Sequence, residues 1–181
     1  MSVKKEMKVL GEDRRKLLLD WLLKSEKPIT GSELAARTKV SRQVIVQDIS
    51  LLKARGNHVL ATSQGYMMIP EQQKDAIRKT LACFHRPEAE VTRNELYTIV
   101  DKGAVVVDVS IEHQIYGELT ALLMLSSRRD VDRFIKNVRD TNASLLSELT
   151  DGTHLHTIEA PSQHIIDETE AALKEKGYLL T

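Results

Sequence analysis

TGSELAARTKVSRQVIVQDISLLKARG, running from Thr30 to Gly56, decides the fold of the first half of this chain. Thr30-Gly-Ser-Glu33 is a capping-box pattern, a hydroxyl followed three residues later by a carboxylate, and it opens a helix that reaches Ala36 or Arg37. Thr38-Lys39-Val40 is a short polar turn with one apolar plug. Ser41 can cap a further helix over residues 42–54, because its oxygen accepts a backbone N–H of the first turn. Ile45, Ile49 and Leu52 recur at helical spacing and mark the buried face, and Gly56 is placed to stop the helix. Two short helices joined by a tight turn make a helix-turn-helix.

Outward from that stretch the pattern extends on both sides. Residues 12–24 carry Leu17, Leu18, Trp21 and Leu22 at helical spacing, and Lys27 before Pro28 ends that helix. Residues 59–62 and 66–69 are apolar runs flanking Ser63-Gln64-Gly65, which predicts a β-hairpin with a three-residue loop. Helix, helix-turn-helix and hairpin, in that order, predict a winged helix. In such a fold the N-terminal residues of the recognition helix meet base edges in the major groove of double-stranded DNA. Those residues are Ser41, Arg42, Gln43 and Gln47, with Val46 on the same face for a thymine methyl. Lys39, Lys53 and Arg55 are candidates for phosphate, and Gln64 at the wing tip for the adjacent backbone or minor groove. Asp48 would repel phosphate and is expected to turn aside, to Arg42 or a neighbouring helix.

The overall charge conceals this. The 181 residues carry 26 Lys plus Arg and 26 Asp plus Glu. Residues 1–70 hold 13 basic and 7 acidic side chains, whereas residues 71–181 hold 13 basic and 19 acidic. We therefore expect two domains, 1–70 for DNA and 71–181 for another task. The acidic half is expected to sit away from the duplex and to form the dimer contact. No apolar run approaches the ~20 residues of a membrane span, and the N-terminus has no apolar core of a signal peptide, so a cytoplasmic protein without membrane partners is expected. The lone Cys83 excludes an intramolecular disulfide and reads as a small buried hydrophobe.

The acidic half begins with a polar stretch, 71–79, read as a linker or short helix. After it come a strand (80–85), a helix (91–101), two strands (104–111 and 117–125), a helix (128–140), a strand (154–159), a helix (162–176) and a terminal strand (178–180). The order β-α-β-β-α-β predicts a ferredoxin-like α/β sandwich, making the whole chain α+β. His154-Leu-His156 lies on a strand, where alternate residues face one way, so both imidazoles project together. His85 at a strand end and Glu95 on the following helix are the obvious additional ligands. Three His and one carboxylate suit zinc, nickel, iron or manganese. Glu159 has the opposite parity to the His pair, and His113 and His164 read as surface or packing residues.

At this point a resemblance can be stated. Ser41-Arg-Gln-Val-Ile-Val-Gln-Asp48 and Ala61-Thr-Ser-Gln-Gly-Tyr66 carry it in the first half, and Asp108-Val-Ser-Ile-Glu-His113-Gln-Ile-Tyr-Gly117 and Gly152-Thr-His-Leu-His-Thr-Ile-Glu-Ala-Pro161 in the second. The chain resembles the niacin-responsive transcriptional repressors, which join a winged helix to a 3H domain named for histidine motifs. The resemblance implies a dimeric, non-enzymatic repressor of genes for NAD synthesis or niacin uptake, with nicotinic acid as co-repressor. It implies a divalent metal, zinc or nickel foremost, on His85, Glu95, His154 and His156, with Glu88 or Glu90 as alternative carboxylates. His113 becomes a candidate for the effector pocket or its rim. Two other readings stay open: a repressor whose effector is the metal itself, and a metal-dependent enzyme fused to a DNA-binding domain.

Overall fold

The computed structural model describes residues 10–68 and 76–180 and divides the chain into two compact units, 1–71 and 72–181. In the first, α1 (Gly11–Lys24), α2 (Gly31–Thr38) and α3 (Arg42–Ala54) precede β1 (Val59–Thr62) and β2 (Gly65–Met68). Thr30 Oγ1 accepts the Glu33 N–H and Ser41 Oγ accepts the Val44 N–H, so both helices start at their predicted caps. Between them Lys39 takes a left-handed conformation and Val40 packs on the core. That core joins Leu18, Leu22, Leu34, Ile45, Ile49 and Leu52, each such side chain contributing about 1.5–3 kcal/mol through burial. Leu17, expected inside, faces outward; the buried line of α1 is Arg14, Leu18 and Leu22.

The hairpin loop has two residues, not three. Thr62 pairs with Gly65, which belongs to β2. A Cβ on Gly65 would lie 2.5 Å from the Ile29 carbonyl oxygen. Only glycine permits this approach, which lets Ile29 and Tyr66 exchange two backbone hydrogen bonds of 2.8 Å and adds a third, one-residue strand to the wing.

In the second unit, β3 (Ile77–Phe84), β4 (Val105–His113), β5 (Gly117–Leu125) and β6 (Thr153–Ala160) form an antiparallel sheet in the order β3-β6-β4-β5. Helices α4 (Ala89–Val100), α5 (Arg128–Thr141) and α6 (Gln163–Glu175) share one core with it, and a 3-10 turn spans Leu146–Thr150. The predicted linker is partly wrong: 71–75 lie outside the described residues, but β3 already starts at Ile77. Lys79 hid this start, because it takes an inward-facing position of the strand and ends in an ion pair with Glu170.

The antiparallel four-strand layer with β-α-β-β-α-β order is present, with one difference of wiring. β6 enters between β3 and β4, whereas a ferredoxin-like layer inserts its third strand there. Tyr178–Leu180 then hydrogen-bond along the outer side of β3. The consequence for function is direct: β6, which carries two histidines, lies beside the strand that leads to the third.

Candidate metal centre and nucleic-acid interface

Register builds the centre. Cys83 pairs with His154 and Leu81 with His156 across β3 and β6, so these side chains project side by side toward the helices. His85 follows one step beyond β3. A Cβ at Gly152, whose φ is +104°, would meet the His85 carbonyl oxygen at 2.0 Å. Glycine there lets the two backbones close until His85 and His154 rings stand edge to face, 4.9 Å apart. From the helix side, α4 lowers Glu95 onto them.

Glu95 has no exposed surface, and its carboxylate is the hub. His85 Nε2 lies 2.8 Å from Oε2, His154 Nε2 lies 3.2 Å from both oxygens, and His156 Nε2 lies 3.4 Å from Oε2 without a hydrogen bond. Each other ring nitrogen donates to a backbone carbonyl. His85 Nδ1 meets Arg86 at 2.7 Å, His154 Nδ1 meets Gly152 at 2.8 Å, and His156 Nδ1 meets Asp108 at 2.7 Å. The last is available because the pairing of β4 with β6 slips between Val106 and Ser110. A carbonyl only accepts, so three Nδ1 protons are fixed and three Nε2 lone pairs converge on a carboxylate that also only accepts.

Such a donor set asks for positive charge. Without a metal, protons must supply it. Burial alone would push His85 and His156 down, but Glu95 outweighs it and both are raised. Burial alone would push Glu95 up, but the His156 charge and the imidazole hydrogen bonds hold it well below the usual carboxylate range. A divalent cation held by these residues would supply the same charge. The orphaned His156 Nε2 and the carbonyl-fixed tautomers are the features expected of metal-ligating imidazoles. The four residues therefore fit a zinc- or nickel-type ion.

The structure brings together His85, Glu95, His154 and His156. Glu88 and Glu90 are exposed and turn to arginines, Glu88 to Arg86 and Glu90 to Arg93 and Arg139. His164 is exposed, near Glu168. Sequence reasoning missed Cys83: fully buried as expected, its sulfur nevertheless lies within 4.8 Å of ligand atoms of both Glu95 and His154. Cys83-Phe-His85 has the same alternation as His154-Leu-His156, and that was the available signal. Burial, reinforced by Glu95, pushes the thiol up and keeps it neutral.

A small, mostly apolar pocket opens beside the centre. His154 and His156 line it with Leu96, Val109, Leu123, Phe134 and Leu145, and its polar rim is Thr92 and Ser147. Thr92 Oγ1 is buried with no hydrogen bond. Among the described residues, no Lys or Arg lines this pocket. His113, the effector candidate, does not line it either. Its Nδ1 accepts the Ile115 and Tyr116 N–H groups and its ring stacks on Tyr116, so it holds the β4–β5 turn.

In the first unit, α3 turns Arg42, Gln43 and Gln47 to solvent, with Val46 half-buried among them. Ser41 is exposed but engaged as the cap, and Lys53 is exposed. One expected DNA contact needs correction. Gln64 is buried, because the two-residue loop folds it inward instead of presenting it at a tip. Arg55 is exposed and pairs through one guanidinium nitrogen with Glu12 of α1 at 3.0 Å. Asp48 turns from the recognition face to α1, 2.5 Å from Arg14 and 3.0 Å from Arg15.

A helix-turn-helix joined to an α+β unit with a buried ligand set defines a DNA-binding regulator. Comparison with known proteins agrees. Residues 78–181 match the 3H domain family, and residues 14–67 match a helix-turn-helix family. Transcription repressor NadR of Bacillus subtilis (strain 168) is 51% identical over 177 residues, covering 97% of each chain. Probable transcription repressor NiaR of Thermotoga maritima is 36% identical over 174 residues, covering 96% of this chain and 97% of that one. The chain belongs to the 3H-domain family of transcription repressors, a family of DNA-binding regulators rather than enzymes. Among the described residues, no helix is long and apolar enough to cross a membrane.

Proposed function

We propose that this protein acts as a cytoplasmic homodimer that represses genes of NAD synthesis or niacin uptake, with nicotinic acid as co-repressor and a divalent metal on His85, Glu95, His154 and His156. The observation that carries the reading is the triple commitment of Nδ1 to carbonyls, which leaves three Nε2 lone pairs on a buried carboxylate. A bound divalent ion supplies the positive charge this cluster lacks and a position for an anionic ligand. The neighbouring pocket supports the effector class. Its Leu, Val and Phe walls suit an aromatic ring, and with no Lys or Arg among its described lining residues a carboxylate finds positive charge there at the His154–His156 side. Thr92 Oγ1 is a spare hydroxyl for a polar ring atom.

Arg42, Gln43, Val46 and Gln47 read base edges in this proposal, with Lys53 on phosphate. Ser41 sets the helix start. Two half-sites would be met by the recognition helices of a dimer about one DNA turn apart. The ligand acts by binding the operator-competent dimer more tightly than the alternative, and shifts the balance only by that difference.

The test is operator affinity measured with and without metal, crossed with and without nicotinate. Tight binding that needs both supports the proposal. Tight binding with metal alone, unchanged by nicotinate, replaces it with a metal-sensing repressor.

A further inference from the structure

We infer that Cys83 is a fifth ligand of the metal centre, a thiolate that joins the three imidazoles and Glu95. This rests on the metal reading above and adds to it a soft anionic donor. The β3–β6 register sets Cys83 directly beside His154, and its sulfur, the His154 nitrogen and a Glu95 oxygen lie within 4.8 Å of one another. The thiol is fully buried, 4.0 Å from the Leu81 carbonyl and facing the Glu95 carboxylate. Independently, His156 Nε2, on a residue 2% exposed, makes no hydrogen bond and lies 3.4 Å from Glu95 Oε2, on the carboxylate that the Cys83 sulfur also approaches. Two side chains on adjacent strands thus bring donor atoms to one buried carboxylate.

Charge argues the same way. A divalent cation in a fully buried place is costly unless neutralised. Glu95 supplies one negative charge and three neutral imidazoles supply none. When the ion binds, the Cys83 S–H bond breaks heterolytically. The electron pair stays on sulfur and forms the bond to the metal, and the proton leaves to solvent. Thiolate and carboxylate then balance the ion. A sulfur donor moves the set toward zinc and away from manganese or magnesium.

Cobalt(II) makes this visible. The chain contains one cysteine, so a thiolate-to-cobalt charge-transfer band in the near ultraviolet can come only from Cys83. Metal-free full-length protein, kept in a non-thiol reductant, is titrated with cobalt(II). The expected result is visible d–d absorption together with the charge-transfer band, and retention of the first but loss of the second in Cys83→Ser. Far-ultraviolet circular dichroism verifies that the variant folds. Wild-type d–d absorption without the charge-transfer band overturns Cys83 as a ligand and leaves the four-residue centre standing. Absence of any cobalt spectrum overturns the metal reading itself, and the inference with it.

Discussion

Among the described residues two carboxylates are buried, and they are answered in opposite ways. Asp48, 2% exposed on α3, meets Arg14 and Arg15 of α1. Guanidinium groups are always charged and donate in fixed directions, so this pair is closed and permanent. Glu95, with no exposure on α4, meets three imidazoles whose charge is optional. One cluster is a strut that keeps an acid off the recognition face. The other is an unfinished set that a proton or a metal completes. Burial of an acid by itself distinguishes nothing; the permanence of its partner charge separates structure from sensing.

The largest expected effect tests the strut. Asp48→Ala leaves Arg14 buried without its acid and should destabilise the first unit by about 3–5 kcal/mol. Trp21, the sole tryptophan and packed on that core, reports its unfolding by fluorescence. The loss should be the same in chelator and in zinc; a metal-dependent loss would break the distinction between the two clusters. Next comes the open set. Zinc at about 100 times its Kd should stabilise the second unit by about 2.7 kcal/mol, read by calorimetry, and His156→Ala should abolish this while leaving the Trp21 transition unchanged.

Third, Arg42→Ala and Gln47→Ala should each weaken operator binding by about 1–3 kcal/mol without altering zinc stabilisation. A gel-shift midpoint unmoved by either would remove the base-reading role of α3. The smallest effect is expected from pH, where carboxylate and imidazole contributions are lost at opposite ends of the range. The depressed Glu95 stabilises the metal-free fold above its unfolded-state value and loses that as pH falls through its folded one. His85 and His156, both raised, stabilise fully below about pH 6.5 and lose that as pH rises through their folded values. Metal-free melting temperature should therefore fall on the alkaline side of about pH 6.5, while zinc affinity rises there as protons cease to compete. A melting temperature flat across that window would show that protons are not what completes the set.

Legibility in the sequence divided along contact range. Thr30, Ser41, the Ile45-Ile49-Leu52 face and Gly56 act within a helix turn, so caps and periods revealed them. Ile29 as a strand partner of Tyr66, and Arg55 as partner of Glu12, depend on residues 37 and 43 positions away, and no local pattern announces either. The His154–His156 parity was local and readable. His85 and Glu95 were reachable as neighbours in the chain. Cys83 was not, because burial made an apolar role sufficient and only the β3–β6 register puts sulfur beside His154. Strand order hid for the same reason: element sequence leaves open which strand enters between β3 and β4.

That insertion has a kinetic side. His85 and Glu95 are ten positions apart and come together early in a growing chain, but their partners arrive some sixty to seventy residues later. Only when β6 lies between β3 and β4 does the ligand set exist. Long-range closures of this kind are slow relative to helix formation. A metal held by this set would therefore bind only where β3, α4 and β6 are already together, so that its retention would report an assembled sheet.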